Sequence, residues 1–275
     1  MKIKEIKWKK IALFSGCGLL LASMLTLISF VNTRQKAMPC SAIEIHIDES
    51  VPHDFIGQNE VLEIINSNHK IIGRPIGSIN ISLLEKKIMG NPFVQKAEVY
   101  STVDGKLKVD VIQRDPMVRI ISMHDEHFYI DREGKFMPVS EHYSTPVIVA
   151  SGYIFDTYAE MQIPVWQGDS STTDSTINHP DHILCQIYDV AKFLDKDSFW
   201  NAQVEQIYIN EQQEIELMPR VGNQHIILGS TENMEDKFNK LFVFYSQGLS
   251  KIGWNNYSII NLKYKNQVVC TKIKL

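Results

Sequence analysis

Cysteine is scarce in this chain of 275 residues: Cys17, Cys40, Cys185 and Cys270 are the only four. Three of them follow the first apolar stretch, so at most one disulfide could form there, and a disulfide-built scaffold is excluded. With 14 glycines and 10 prolines the chain is neither collagen-like nor of low complexity. No GxSxG elbow, Walker loop, GxGxxG, HExxH or CxxC occurs, which removes the familiar hydrolase, phosphate-cradling and zinc motifs. Positive charge is also short. The formal net charge is −4, and beyond residue 36 there are 21 basic against 31 acidic residues, a net of −10. A body so acidic has no electrostatic footprint for nucleic acid.

What is present begins with an uncharged stretch, Ile11 to Val31. At about 1.5 Å per residue it matches the roughly 30 Å core of a bilayer and predicts a transmembrane helix. Lys2, Lys4, Lys7, Lys9 and Lys10 precede it, against Arg34 and Lys36 close behind. The positive-inside rule therefore keeps residues 1–10 in the cytoplasm and exports the acidic body. A cleaved signal peptide would have a shorter apolar core and a small-residue site. An uncleaved anchor fits better, with residues 32–40 as a linker and Cys17 a membrane-buried thiol.

Residues 41–115 read as a small mixed unit. Ile43, Ile45 and Ile47 alternate with Glu44 and His46, the period of a half-buried strand. Helical spacing follows in Val61, Leu62, Ile64 and Ile65, and again in Ile81, Leu84 and Ile88 behind the cap Asn80. Gly90-Asn91-Pro92 stops the second helix. Val94 to Thr102 and the alternating Leu107, Val109, Val111 then form a hairpin, for which Asp104-Gly105 predicts a two-residue turn.

Residues 116–275 carry short strands separated by turns every eight to twelve residues, which predicts a largely antiparallel sheet. Two amphipathic helices interrupt it, near 182–194 and 231–248, and strands at 257–264 and 267–273 end the chain. A polar loop at 156–180 contains Gly168 to Ser175 and buries nothing. The fold class is thus α+β: one N-terminal transmembrane helix, a β-α-α-β-β unit, and a largely antiparallel β domain with two helices.

Chemistry is sparse. His124 and His127 sit in a turn, and His179, Asp181 and His182 enter a helix, so each set reads first as solvated surface and second as a metal-site fragment. Asp131 and Glu133 read as turn residues of Asp-Arg-Glu-Gly, not as a catalytic carboxylate pair. No cofactor or metal is expected. A terminal strand at a sheet edge, by contrast, would present unpaired N–H and C=O groups to which a partner peptide can add a strand.

The order of these elements resembles the FtsQ/DivIB family of bacterial cell-division proteins. "LEKKIMGNPFVQKAEVY" followed by "DGKLKVDVIQRDPMVRI" is similar to the end of that family's POTRA domain, "HFYIDREGKFMPV" to the opening of its β domain, and "YSIINLKYKNQVVCTK" to its final strand pair. The resemblance implies a non-enzymatic scaffold of the divisome in the plasma (inner) membrane at the septum. Its implied partners are FtsB-like and FtsL-like single-pass proteins, with other divisome proteins. Carried over by the same resemblance, Lys263, Tyr264 and Asn266 fall in the contact region, and Val268, Val269 and Cys270 supply the pairing backbone. The chain departs from the pattern in its short cytoplasmic tail, its polar insert and its end at Lys272, Lys274 and Leu275 without an aromatic anchor. An anchored extracytoplasmic metalloenzyme and a POTRA-type module of another envelope system are the competing readings.

Overall fold

The computed structural model describes residues 22–24, 26, 34–49, 54–158 and 182–273. The expected cytoplasmic tail, most of the 11–31 span and most of the 156–180 loop lie outside these residues. Among the described residues no helix is long and apolar enough to cross a membrane. The fold separates into two units: the first runs to Gln113 apart from residues Val51–Phe55, which belong with the second, and the second resumes at Arg114.

The first unit follows the predicted order. Strand β1 (Ala42–Ile47) leads to helices α1 (Gln58–Asn66) and α2 (Ile81–Met89), then to β2 (Val94–Ser101) and β3 (Lys106–Gln113). The Asn80 side chain caps α2 by accepting from the Leu83 N–H at 3.1 Å. The sheet runs β1-β3-β2, with β1 parallel and β2 antiparallel to β3. Parallel pairing follows from the intervening helices, since a short turn cannot join parallel neighbours. Val61, Ile65, Leu84 and Ile88 meet Val94, Val99, Leu107 and Val109 in one core. Each such side chain contributes about 1.5–3 kcal/mol on burial.

The hairpin turn differs from the two-residue form expected. Thr102 N–H donates to Lys106 O at 2.9 Å and Gly105 N–H to Thr102 O at 3.2 Å, so three residues are looped out. Only Gly105 takes positive φ, +81°. Asp104 does not need it, because a one-residue glycine bulge completes the reversal.

The second unit has one large sheet. Its strands are β4 (Pro116–Ile121), β5 (His127–Asp131), β6 (Phe136–Pro138), β7 (Ile148–Gly152), β8 (Val204–Ile209), β9 (Ile215–Pro219), β10 (His225–Gly229), β11 (Tyr257–Asn261) and β12 (Val269–Lys272). Their spatial order is β12-β11-β10-β9-β8-β7-β4-β5-β6. The sheet is mixed: five of its eight junctions are antiparallel, and β4–β7, β7–β8 and β10–β11 pair in parallel. Two of these junctions enclose the helices. Between β7 and β8 come α3 (Ile183–Lys196) and a short α4 (Ser198–Gln203), which sequence periodicity did not reveal. Between β10 and β11 comes α5 (Met234–Val243), which widens into a π-turn over Phe244–Leu249 and ends at Ile252. The helices bury Leu184, Ile187, Leu194, Trp200, Phe238, Leu241 and Tyr245 in one core with Val118, Ile120, Ile207, Leu217 and Ile226.

Asp131 is a turn residue, as read from the sequence. One carboxylate oxygen accepts from the Glu133 and Lys135 amides at 2.9 and 2.8 Å, and the other from Arg114 Nη1 at 2.7 Å. Glu133 turns instead to Lys135. Cys40, Cys185 and Cys270 are free thiols. Burial pushes the Cys185 thiol up to about 11, so it stays protonated at neutral pH.

Candidate functional site

The C-terminal strand is an edge. β12 pairs with β11 only, setting Asn261 against Val269, Ile260 against Cys270 and Ile259 against Thr271. Backbone parity fixes which groups remain outside. Leu262 N–H donates to Ile227 O at 2.9 Å, so Leu262 and Ile260 turn their backbone to β10, and Ile259 and Asn261 turn theirs to β12. Thr271 O accepts from Ser258 Oγ and Ile273 N–H donates to Asn256 O, consistent with that parity. Val269 and Thr271 therefore bond inward to β11, while Cys270 and Lys272 present N–H and C=O groups outward. Of the positions expected to supply pairing backbone, Cys270 turns its backbone groups outward and Val269 turns its own to β11.

The side chains separate in the same way. Val268 and Cys270 pack on the core of the unit. Val269, on the opposite face, is 42% exposed. Burial raises the Cys270 thiol above its ordinary value.

The connection from β11 to β12 is held by lysines. Lys240 of α5 donates to the carbonyls of Leu262 and Tyr264, at 3.0 and 2.6 Å. Lys263 pairs with Glu214. Its stem lies over Gly229, where an added Cβ would come within 2.9 Å of Lys263 Cγ. Lys263 thus fastens the segment to the β9–β10 region instead of standing free. Lys237, buried in α5, donates to Ser230 O at 2.8 Å, and desolvation lowers its pKa. With its backbone fixed by Lys240, Tyr264 projects outward at 49% exposure, and Asn266 turns the chain at φ +60°. Between α5 and residues 262–268 lies a groove of about 910 Å³, walled by Lys240, Val243, Phe244 and Val268. Sequence reading found the strand but not Lys240, whose role depends on contacts 22 and 24 residues away.

Among the described residues the metal-site fragments do not come together. His182 Nδ1 accepts from the Leu184 N–H at 3.3 Å as the cap of α3, and its Nε2 lies 3.3 Å from Asp156. His179 and Asp181 are outside the described residues. His127 Nδ1 sits 3.1 Å from the Arg119 guanidinium, which occupies that nitrogen. Among the described residues no three His, Cys, Asp or Glu side chains are placed to hold a metal ion.

Comparison with protein-family models matches residues 115–271 to "FtsQ/DivIB, C-terminal related" and residues 38–112 to "POTRA-like domain". No curated protein matches the chain. The first match spans more than half of the chain and takes in every strand from β4 to the middle of β12. With a POTRA-like unit ahead of it, the chain belongs to the FtsQ/DivIB, C-terminal related family.

Proposed function

We propose that this protein is a membrane-anchored scaffold of the bacterial cell-division complex, and that β12 is where a partner docks. Both matched families are non-catalytic scaffold domains. In this reading residues 11–31 anchor the chain in the plasma membrane, residues 1–10 stay in the cytoplasm, and residues 41–115 and 116–275 act outside as POTRA-like and β domains. The partners are small single-pass division proteins of the FtsB and FtsL type. One of them adds a strand to β12, linking division proteins at the septum.

The observation that carries this reading is the outward backbone of Cys270 and Lys272 on a terminal strand. Ladder hydrogen bonds to those groups give affinity, and Tyr264, in the connection that leads into β12, gives a large anchor for specificity. Lys272→Pro tests it directly. Lys272 is exposed and its N–H points outward, so proline removes one ladder donor without touching β11. Capture of small coiled-coil division proteins by the detergent-extracted chain should fall about tenfold in Lys272→Pro, at the roughly 1.4 kcal/mol a factor of ten represents. Tyr264→Ala should weaken it further. Undiminished capture in both variants would move the interface elsewhere.

A further inference from the structure

The other strand edge of interest is β2, in the first unit. β2 ends the sheet beside β3, and Thr102 N–H bonds to Lys106 O, so Lys96, Glu98 and Tyr100 share its inward parity. Ala97, Val99 and Ser101 therefore aim their backbone groups away from the sheet. At the middle of that row Val99 N–H does not face open solvent. It donates to Glu85 Oε1 of α2 at 3.0 Å. A helix carboxylate thus occupies the donor that an incoming strand would need.

We infer that Glu85 locks the β2 edge against pairing with the β2 edge of a second copy of this chain. The strand is self-complementary. A two-fold axis through Ala97 sets outward Ala97 against itself and brings Val99 opposite Gln95. It also places Lys96 opposite Glu98 of the second copy on both sides. Those two side chains already pair within one strand at 2.5 Å, and both are more than half exposed. Opposite charges across an antiparallel pair favour the register, and like charges oppose it. Unpaired edges of this length invite such association unless something covers them. The bulge at Gln95 twists the start of β2, which leaves Glu85 to protect the regular part.

The test is the mass of the full-length chain in detergent, by light scattering across a concentration series. Wild type should stay monomeric. Glu85→Ala should double in mass as concentration rises, whereas Glu85→Gln, whose amide oxygen still accepts from Val99 N–H, should not. Glu85→Ala combined with Glu98→Lys should return to monomer, because Lys96 would then face a lysine. If Glu85→Ala does not fold, Glu85→Asp shortens the reach by one methylene and is read in the same way. A folded Glu85→Ala or Glu85→Asp chain that stays monomeric, a Glu85→Gln chain that dimerises equally, or a wild-type dimer would each overturn the lock. Hydrogen exchange gives an independent reading: the Val99 amide should be protected in wild type and Glu85→Gln, and exposed in a monomeric Glu85→Ala sample at low concentration.

Discussion

The two sheets treat their edges in opposite ways. β2, with eight residues and a self-complementary charge pair, has its central outward donor taken by Glu85. β12, with four residues, has no side chain bonded to the outward groups of Cys270 and Lys272 among the described residues, and Lys240 and Lys263 instead brace the chain that leads into it. An edge kept for a partner needs its backbone free and its position held. An edge kept from partners needs only one well-placed acceptor.

Cutting the chain after Asn266 should break the comparison most severely. It deletes β12 and the packing of Val268 and Cys270, leaving β11 as the edge. The second unit should lose about 3–5 kcal/mol from burial and ladder bonds. Denaturant unfolding followed by tryptophan fluorescence would show this, since Trp200 and Trp254, the tryptophans among the described residues, both belong to that unit. Partner capture should vanish with it.

Alkaline pH should separate the two units next. Burial pushes the Tyr245 phenol up to about 12 from its ordinary 10. The native state holds the proton more tightly, so this contribution is complete below pH 10 and is lost as pH rises through 12. The tighter hold on that proton corresponds to about 2–3 kcal/mol. The stability of the second unit should fall across that window, and the slope should flatten in Tyr245→Phe. In the first unit the one described tyrosine, Tyr100, is exposed and is raised chiefly by its hydrogen bond with Asp110, and burial raises the Cys40 thiol, so any alkaline slope there comes from those groups and is untouched by Tyr245→Phe.

The smallest effect sharpens the contrast at the edge itself. Lys240→Met keeps the stem over the groove but frees the carbonyls of Leu262 and Tyr264. The cost should be about 1–2 kcal/mol, because those carbonyls can recover part of their bonding from water. Hydrogen exchange in residues 262–268 should accelerate while β8 and β9 stay protected.

Much of this architecture was legible in the residues. The alternation of Leu107, Val109 and Val111, the cap Asn80 and the two apolar helical stripes are local signals, and the structure places a strand, a helix start and buried faces there. Strand spans in the second unit agree to within a few residues for the same reason. Neighbour relations were less accessible. Period-2 alternation says which face a strand buries, not which strand lies beside it, so β7 was read into an antiparallel meander when it pairs in parallel on both sides. The helices between β7 and β8 and between β10 and β11 did carry the missing information, since a crossover returns the chain in the same direction. Helix α4 escaped because six residues are too few for a periodic stripe, although Asp197 caps it through the Phe199 amide at 2.9 Å. At the candidate site Tyr264 entered only through the family resemblance, and the terminal strand was readable. Whether that strand was an edge was not, because the answer depends on the order of all nine strands. Lys240 on Tyr264 and Glu85 on Val99 are tertiary bonds with no local trace.

The parallel junctions also set a schedule. β4 through β6 join by short turns and can associate as soon as they are made, but β7 cannot gain its second neighbour until α3 and α4 have followed it, nor β10 until α5 has. Non-local closures of this kind are slow relative to hairpins. β12 follows the other eight strands of its sheet and rests on β11, which itself waits for α5. An edge built there forms only after both crossovers have closed, so a partner that bound β12 would distinguish folded molecules from partly folded ones.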